Sequence, residues 1–141
     1  MIKIIATLLT IFAFNISHAK TVNVGIILGF TGPIESLTPD MAAGAELAFT
    51  EASNSGKLLN GSNINIIRAD STCIDSAAAT SAAEGLVSQG VTAIMGADCS
   101  GVTGAILSNV AVPNGVPMIS PSATSPGLTT AEDNGLFFRT A

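Results

Sequence analysis

The sequence predicts an α/β protein with a doubly wound parallel sheet. Apolar runs alternate along the chain with segments whose apolar residues recur at helical spacing, a pattern typical of βαβ units. The apolar runs lack regular alternation with polar residues, which favours strands buried on both faces of a parallel sheet. Crossovers between parallel strands are right-handed, and we expect the five strands to lie in the order 2-1-3-4-5.

Residues 1–19 have the pattern of a secretory signal peptide. Lys3 precedes an apolar run over residues 4–14, and Ser17-His18-Ala19 places small residues at the −3 and −1 positions. A membrane anchor or a first core strand is the alternative, but the run is too short to span a bilayer. We therefore expect cleavage after Ala19, a periplasmic location, and a mature chain over residues 20–141 that does not itself span a membrane.

The chain that remains is acidic. Without Lys3 it holds four bases and ten acids, a formal net charge of −6, and it loses His18, the only histidine. The sequence contains no Trp and no Tyr, so it lacks their rings for stacking on bases or sugars. An acidic chain without a basic patch argues against nucleic acid or an anionic membrane as a partner.

The first half of the chain predicts two strands and two helices. Residues 21–28 and 64–69 are apolar runs with the length of strands. Thr38 as N-cap and Pro39 in the first turn indicate a first helix. Asp75 can cap a second helix. The residues expected to face inward are Met41, Ala45, Ala48 and Ala52 on the first helix, and Ala79, Ala82, Ala83, Leu86 and Val87 on the second.

The second half predicts three more strands. Residues 91–95 form strand three, and a third helix over residues 101–112 ends at Pro113, which cannot continue a helix. Residues 116–120 form strand four. Ser125-Pro126 can open a short helical turn before strand five at residues 136–140.

Polar residues follow strands three and four. Ser100 stands between strand three and the third helix, and Ser120-Pro121-Ser122-Ala123-Thr124-Ser125 follows strand four. Ligands of such sheets bind past the carboxyl ends of the strands, which places residues 30–37, 98–100 and 120–125 around one crevice. No base is expected near these loops, so a small anionic or zwitterionic ligand would be held by hydroxyl groups and by free N–H groups at a helix N-terminus.

Other chemistries have weaker support. Gly29-Phe30-Thr31-Gly32 matches neither glycine-rich nucleotide motif, and Asp70 lies about forty residues after Gly29 rather than the twenty of a dinucleotide site. A nucleophilic Ser100 would have no histidine to activate it, and a simple helix cap is the plainer alternative. Asp98 and Asp70 lack a third carboxylate for a metal, so Asp98 can equally be a solvated loop acid or the partner of an amine.

Cys73 and Cys99 are an even pair in a chain predicted to be exported, which suggests a disulfide. Two unpaired buried thiols are the alternative, and two cysteines without histidine do not predict a zinc site. Both follow strand ends at the same edge, but strands two and three flank strand one and lie roughly 9–10 Å apart. The two loops must therefore lean together, because a disulfide needs Cα atoms within about 7 Å.

Several motifs resemble those of one family. In order, they are Thr31-Gly32-Pro33-Ile34, Asp40-Met41 with Gly44-Ala45-Glu46-Leu47-Ala48, Asp70 with Cys73, Gly96-Ala97-Asp98-Cys99-Ser100-Gly101, Ile119-Ser120-Pro121-Ser122-Ala123-Thr124-Ser125-Pro126 with Leu128-Thr129, and Phe138-Arg139-Thr140. Across residues 21–141 they resemble the branched-chain amino acid (Leu/Ile/Val) binding proteins of ABC transporters. That resemblance implies the type 1 periplasmic binding protein fold, which has two lobes, and residues 20–141 would be the N-terminal part of lobe 1, with lobe 2 absent.

The resemblance also implies roles for individual residues. Ser100 would offer its hydroxyl and N–H to the α-carboxylate of an amino acid. Thr124 would assist there and would also bind the α-ammonium. The carbonyl of Ser122 would accept a hydrogen bond from the same α-ammonium. Ala123 would line the pocket.

Two further residues complete the implied site, and both depart from a simple aliphatic pocket. Leu37 sits where the family can place an aromatic side chain, and Asp98 lies beside the pocket. The implied function is capture of an amino acid, with a branched-chain or aliphatic ligand favoured, and its delivery to the membrane permease, without catalysis, metal or cofactor. The alternative is a ligand-sensing module of the same fold that regulates a receptor or regulator.

Overall fold

The computed structural model describes residues 20–58 and 61–141. The predicted signal peptide lies outside the described residues and stays a prediction. In the part of the chain that is described, no helix is both long and apolar enough to cross a membrane.

Five parallel strands form one sheet in the order β2-β1-β3-β4-β5, as the sequence predicts. The strands are β1 Thr21–Leu28, β2 Asn63–Asp70, β3 Val91–Gly96, β4 Met118–Ser120 and β5 Phe137–Arg139. In β1, Ile26, Ile27 and Leu28 are completely buried. Helices cover both faces of this strand, which is why these apolar residues follow one another rather than alternating with polar ones.

The helices pack on opposite faces of the sheet. α1 (Thr38–Asn54) lies on the face to which Ile26 and Leu28 point, and α2 (Ser76–Ser88) and α3 (Ser100–Ile106) lie on the face of Ile27. Because each helix follows a parallel strand, all three begin at the edge where the strands end. That edge holds every loop of the predicted site.

The beginning of α1 differs from the prediction. Leu37, not Thr38, is the N-cap residue, and no side chain caps the helix. Thr38 is completely buried and its hydroxyl donates to the carbonyl of Gly29 at 3.1 Å. Thr38 therefore connects the helix to the loop after β1. The capping pattern in the sequence does not predict this contact.

The inward face of α1 is also shifted from the prediction. Ala42 is completely buried, and Met41, Ala45 and Phe49 pack beside it, whereas Ala48 is exposed. The α2 predictions are confirmed. The carboxylate of Asp75 accepts the N–H groups of Ala77 and Ala78 at 2.9 and 3.0 Å, and the inward residues Ala79, Ala83 and Leu86 are buried, with Ala82 and Val87 packed against them.

The third helix does not end at Pro113. After α3 comes a π-helical turn, Leu107–Ala111, and then α4 (Val112–Asn114), which contains the proline. Proline has no N–H to donate to the carbonyl four residues back. The π-helical turn changes the register just before it, since Val112 donates to Leu107, five residues back. Gly115, with a left-handed φ of 65°, then ends the segment.

The α1 face of the sheet is open beyond α1. An apolar groove of about 350 Å³ lies there, and Ile119 and Phe138 on β4 and β5 are 44% and 58% exposed. The groove is lined by Ala45, Ala48, Phe49, Met95, Ile119, Pro121 and Thr140. Pro121 belongs to the loop after β4, but none of the residues with a predicted ligand contact lines this groove.

Candidate ligand-binding site

The site begins where β3 ends, at Gly96. A Cβ at this position would lie 2.0 Å from the carbonyl oxygen of Ile27, and the φ of +131° is one that side-chain-bearing residues rarely adopt. Only glycine fits this exit from the strand. The chain then turns directly into Asp98, Cys99 and Ser100, above the ends of β1 and β3.

Asp98 connects the strand ends. It is 3% exposed, and its carboxylate accepts from the N–H of Gly29 at 2.8 Å, from the Ser71 hydroxyl at 3.4 Å and from the N–H of Cys99 at 2.9 Å. These donors follow β1, β2 and β3. The carboxylate thus faces into the protein, where its hydrogen bonds fix three loops relative to one another, and contact with a ligand stays a prediction.

The predicted disulfide is confirmed. Cys73 and Cys99 are bonded, with Cα atoms 5.2 Å apart. The loop after β2 reaches Cys99 with left-handed backbone at Thr72 and Cys73, where φ is 57° and 70°. The bond joins the β2 loop to the residue immediately before Ser100, so it restrains the first turn of α3.

Two hydrogen bonds bring the loops after β3 and β4 together. Ser100, the first residue of α3, accepts the N–H of Ser125 at 3.0 Å with its hydroxyl. The hydroxyl of Ser122 donates to the carbonyl of Asp98 at 3.0 Å. Ser100, Ser122 and Thr124 therefore belong to one connected pair of loops, as the fold prediction requires.

Ser120 has a structural role that the predictions do not include. It is completely buried at the end of β4, where its hydroxyl donates to the carbonyl of Ala97 and accepts the N–H of Ala123 at 3.0 Å. Thr103 of α3 donates to the same Ala97 carbonyl at 3.1 Å. A serine three residues before Ala123 at a strand end is the local signal that could have indicated this turn.

The expectation that no base lies near these loops is wrong. The guanidinium of Arg139, in β5, donates to the carbonyls of Ser125 at 2.8 Å and Ala123 at 3.2 Å, and to the Thr129 hydroxyl. The strand order places β5 next to β4, so the parallel pairing itself brings Arg139 to the loop after β4. The predicted strand order therefore already implies this contact.

The remaining predicted residues differ in their exposure. Ser122 and Thr124 are exposed, and Ser100 is half-buried. Leu37 is 60% exposed at the start of α1, whereas Ala123 is completely buried. The exposed hydroxyl groups and Leu37 are open to a solute at this edge, and Ala123 supports the loop from within.

Asp70 supports the loop after β1. It accepts from the hydroxyl and N–H of Thr31 at 2.6 and 3.3 Å, and from the N–H of Thr72 at 2.8 Å. Burial raises the pKa of the carboxyl group, but hydrogen bonds from the Thr31 side chain and from the backbone N–H groups outweigh it, so the pKa of Asp70 lies below its ordinary value. In the described part of the chain, no group of three or more His, Cys, Asp or Glu could hold a metal ion.

The fold and the site define a class of protein. A doubly wound parallel sheet with polar loops and a helix N-terminus at its carboxyl edge is the arrangement of an α/β ligand-binding domain. Residues 21–141 match the family described as periplasmic binding protein, and the chain belongs to that family. Its fold is that of solute-binding proteins.

Two similar proteins are named for the amino acids that they bind. The Leu/Ile/Val-binding protein BraC3 of Rhizobium johnstonii is 34% identical over 125 residues, which are 88% of this chain and 33% of that protein. The Leu/Ile/Val-binding protein of Escherichia coli K12 is 29% identical over 115 residues, 82% of this chain and 30% of that protein. Both confirm the resemblance to Leu/Ile/Val-binding proteins that the sequence motifs indicate.

A solved structure shows the same fold. The branched-chain amino acid transporter substrate binding protein LivJ from Streptococcus pneumoniae, in complex with isoleucine, is 35% identical, with a TM-score of 0.74 over 85% of this chain and 33% of that one. The chain thus spans about a third of the length of these relatives.

Proposed function

We propose that the chain is the N-terminal part of lobe 1 of an exported, periplasmic solute-binding protein, which captures an amino acid and delivers it to the permease of an ABC transporter. The observation that carries this proposal is the joining of the Ser100 and Ser122–Thr124 loops at the start of α3. Relatives named for Leu, Ile and Val binding support a branched-chain or aliphatic ligand.

In this proposal the two loops hold the charged groups of the amino acid. Ser100 donates its hydroxyl and N–H to the α-carboxylate, since N–H groups at a helix start favour anions. Thr124 is exposed beside it and contributes its hydroxyl, and the carbonyl of Ser122 accepts from the α-ammonium. Ala123 forms the buried floor of this loop.

Leu37 and Asp98 contribute in different ways. The exposed Leu37 offers apolar surface for an aliphatic side chain. The carboxylate of Asp98 accepts hydrogen bonds from three donors. Asp98 therefore contributes to the site by fixing its loops. No proton transfer or bond breaking is required, and closure of a cleft around the solute is the expected mechanism.

Calorimetric titration of the protein expressed from its complete reading frame tests the proposal. We expect binding of L-leucine, L-isoleucine or L-valine, and loss of binding when the ligand carboxylate is esterified. Hydrogen bonds to a charged group are worth about 1.5–3 kcal/mol, so Ser100→Ala or Thr124→Ala should weaken binding roughly ten- to a hundredfold.

Ser108→Ala is the matched control for the Ser100 variant. Ser108 is exposed in the π-helical turn, and its hydroxyl donates to the backbone carbonyls of Gly104 and Ala105 in the preceding α3. Its removal should leave affinity unchanged. Unchanged affinity in both the Ser100 and Thr124 variants would remove these residues from the site, and retained binding of methyl esters would remove the carboxylate contact.

A further inference from the structure

Arg139 holds the loop after β4 from one side. Its Nη1 donates to two backbone carbonyls, those of Ala123 and Ser125, and its Nη2 donates to the Thr129 hydroxyl. The two carbonyls bracket Thr124. The guanidinium therefore fixes the peptide group immediately before Thr124, the exposed residue that is proposed to contact the ligand, and the peptide group between Ser125 and Pro126, one residue beyond it.

The same loop is also held by hydrogen bonds that lead toward Ser100. The N–H of Ser125 donates to the Ser100 hydroxyl at 3.0 Å, and the N–H of Ala123 donates to the Ser120 hydroxyl at 3.0 Å. Arg139 binds the carbonyls of the two residues whose N–H groups make these contacts. Loss of its guanidinium would thus loosen the loop on one side while the other side stays anchored.

The charge of Arg139 has no carboxylate partner among the described residues. The ion pair among these residues joins Arg68 on β2 to Glu46 on α1. It lies far from Arg139, because β2 and β5 are the two opposite edges of the sheet. Three uncharged oxygen atoms take the donors of Arg139 instead. An arginine suits this task because its planar fork reaches several acceptors at once, whereas a lysine ammonium is a single point of charge.

We propose that Arg139 is a positioning residue of the ligand site. It keeps Ser122 and Thr124 in place opposite Ser100 and adds positive charge behind the loop, without contacting the ligand. This inference rests on the proposed function. A purely structural role, in which Arg139 only secures β5, would lower stability but leave the affinity of the folded protein unchanged.

The test compares Arg139→Gln and Arg139→Lys with Arg68→Gln, all in the protein expressed from its complete reading frame. Hydrogen exchange of residues 121–129 is measured without ligand, and the Kd for L-isoleucine is measured at a temperature where each variant is folded. Arg139→Gln should speed exchange in this loop and weaken binding by about tenfold or more. Arg139→Lys should lose less affinity, and Arg68→Gln should change neither property.

The outcomes separate the inference from the proposed function. If the wild type binds isoleucine and both Arg139 variants bind it equally well, the inference is wrong and the proposed function stands. If the wild type binds no amino acid, the proposed function fails and the inference fails with it. Should Arg139→Gln not fold, the affinity of Arg139→Lys decides the question. Lysine keeps the charge but lacks the fork whose two nitrogens reach the two carbonyls and the Thr129 hydroxyl together, so affinity equal to the wild type would overturn the inference.

Discussion

Replacing Asp98 should destabilise the whole carboxyl edge of the sheet. The Asp98→Ala variant leaves the N–H of Gly29 without its acceptor at a buried position, and it also frees the Cys99 N–H and the Ser71 hydroxyl. A buried donor without a partner costs about 1–3 kcal/mol. The Ser71 contact, at 3.4 Å, is long and the Cys99 N–H is only partly buried, so we expect a total loss of about 2–5 kcal/mol.

Urea denaturation measures this loss as a lower midpoint at an unchanged slope. Asp133→Ala is the matched control, because Asp133 also accepts a backbone N–H, from Gly135 at 2.8 Å, but in an exposed turn. It should cost less than about 1 kcal/mol. If the Asp98 variant loses no more stability than the Asp133 variant, the carboxylate does not hold the strand ends together, and the reasoning from its three donors is refuted.

Three other predictions follow from the same edge and from the N-terminus. The Cys73–Cys99 bond closes a loop with a sequence separation of 26, so Cys73→Ser should cost about 3–4 kcal/mol of stability; two free thiols in unreduced, denatured wild type would contradict the bond. The pKa of Asp70 is lowered in the folded state, so its contribution to stability is present above about pH 4 and is lost as the pH falls through the folded value. The stability difference between wild type and Asp70→Asn should therefore shrink on acidification. A difference that grows would contradict the lowered pKa of Asp70. N-terminal sequencing of the expressed protein should give Lys20 as the first residue, and a soluble cytosolic product that retains Met1 would contradict export.

The strands and their order could be predicted because they depend on local composition and general rules. Residues 24–28 contain no polar side chain, and the structure buries all five of them. Right-handed crossovers then leave few arrangements of five parallel strands. The Asp75 cap was also predictable, since a capping carboxylate acts within three residues of itself.

Two of the wrong predictions concern contacts between residues that are apart in the chain. Thr38 looks like an N-cap in sequence, but in the fold its hydroxyl reaches Gly29. Arg139 contacts a loop fourteen to sixteen positions earlier, a pairing that depends on how β5 lies beside β4. Pro113 is accommodated by a register change in the turn before it. No periodicity or motif reports the contacts of Thr38 and Arg139, because each depends on the packing of elements that are separated in the chain.

The contacts of Asp98 have a consequence for recognition. The carboxylate joins the ends of β1, β2 and β3, and the Asp98 carbonyl takes the hydroxyl of Ser122 after β4. The loops are therefore ordered during folding, before any solute arrives. A solute that docks here would lose its own freedom but would not have to freeze the loops, so this edge is preorganised. Affinity differences among solutes should then arise from what each presents to a fixed surface, rather than from how far each can reshape it.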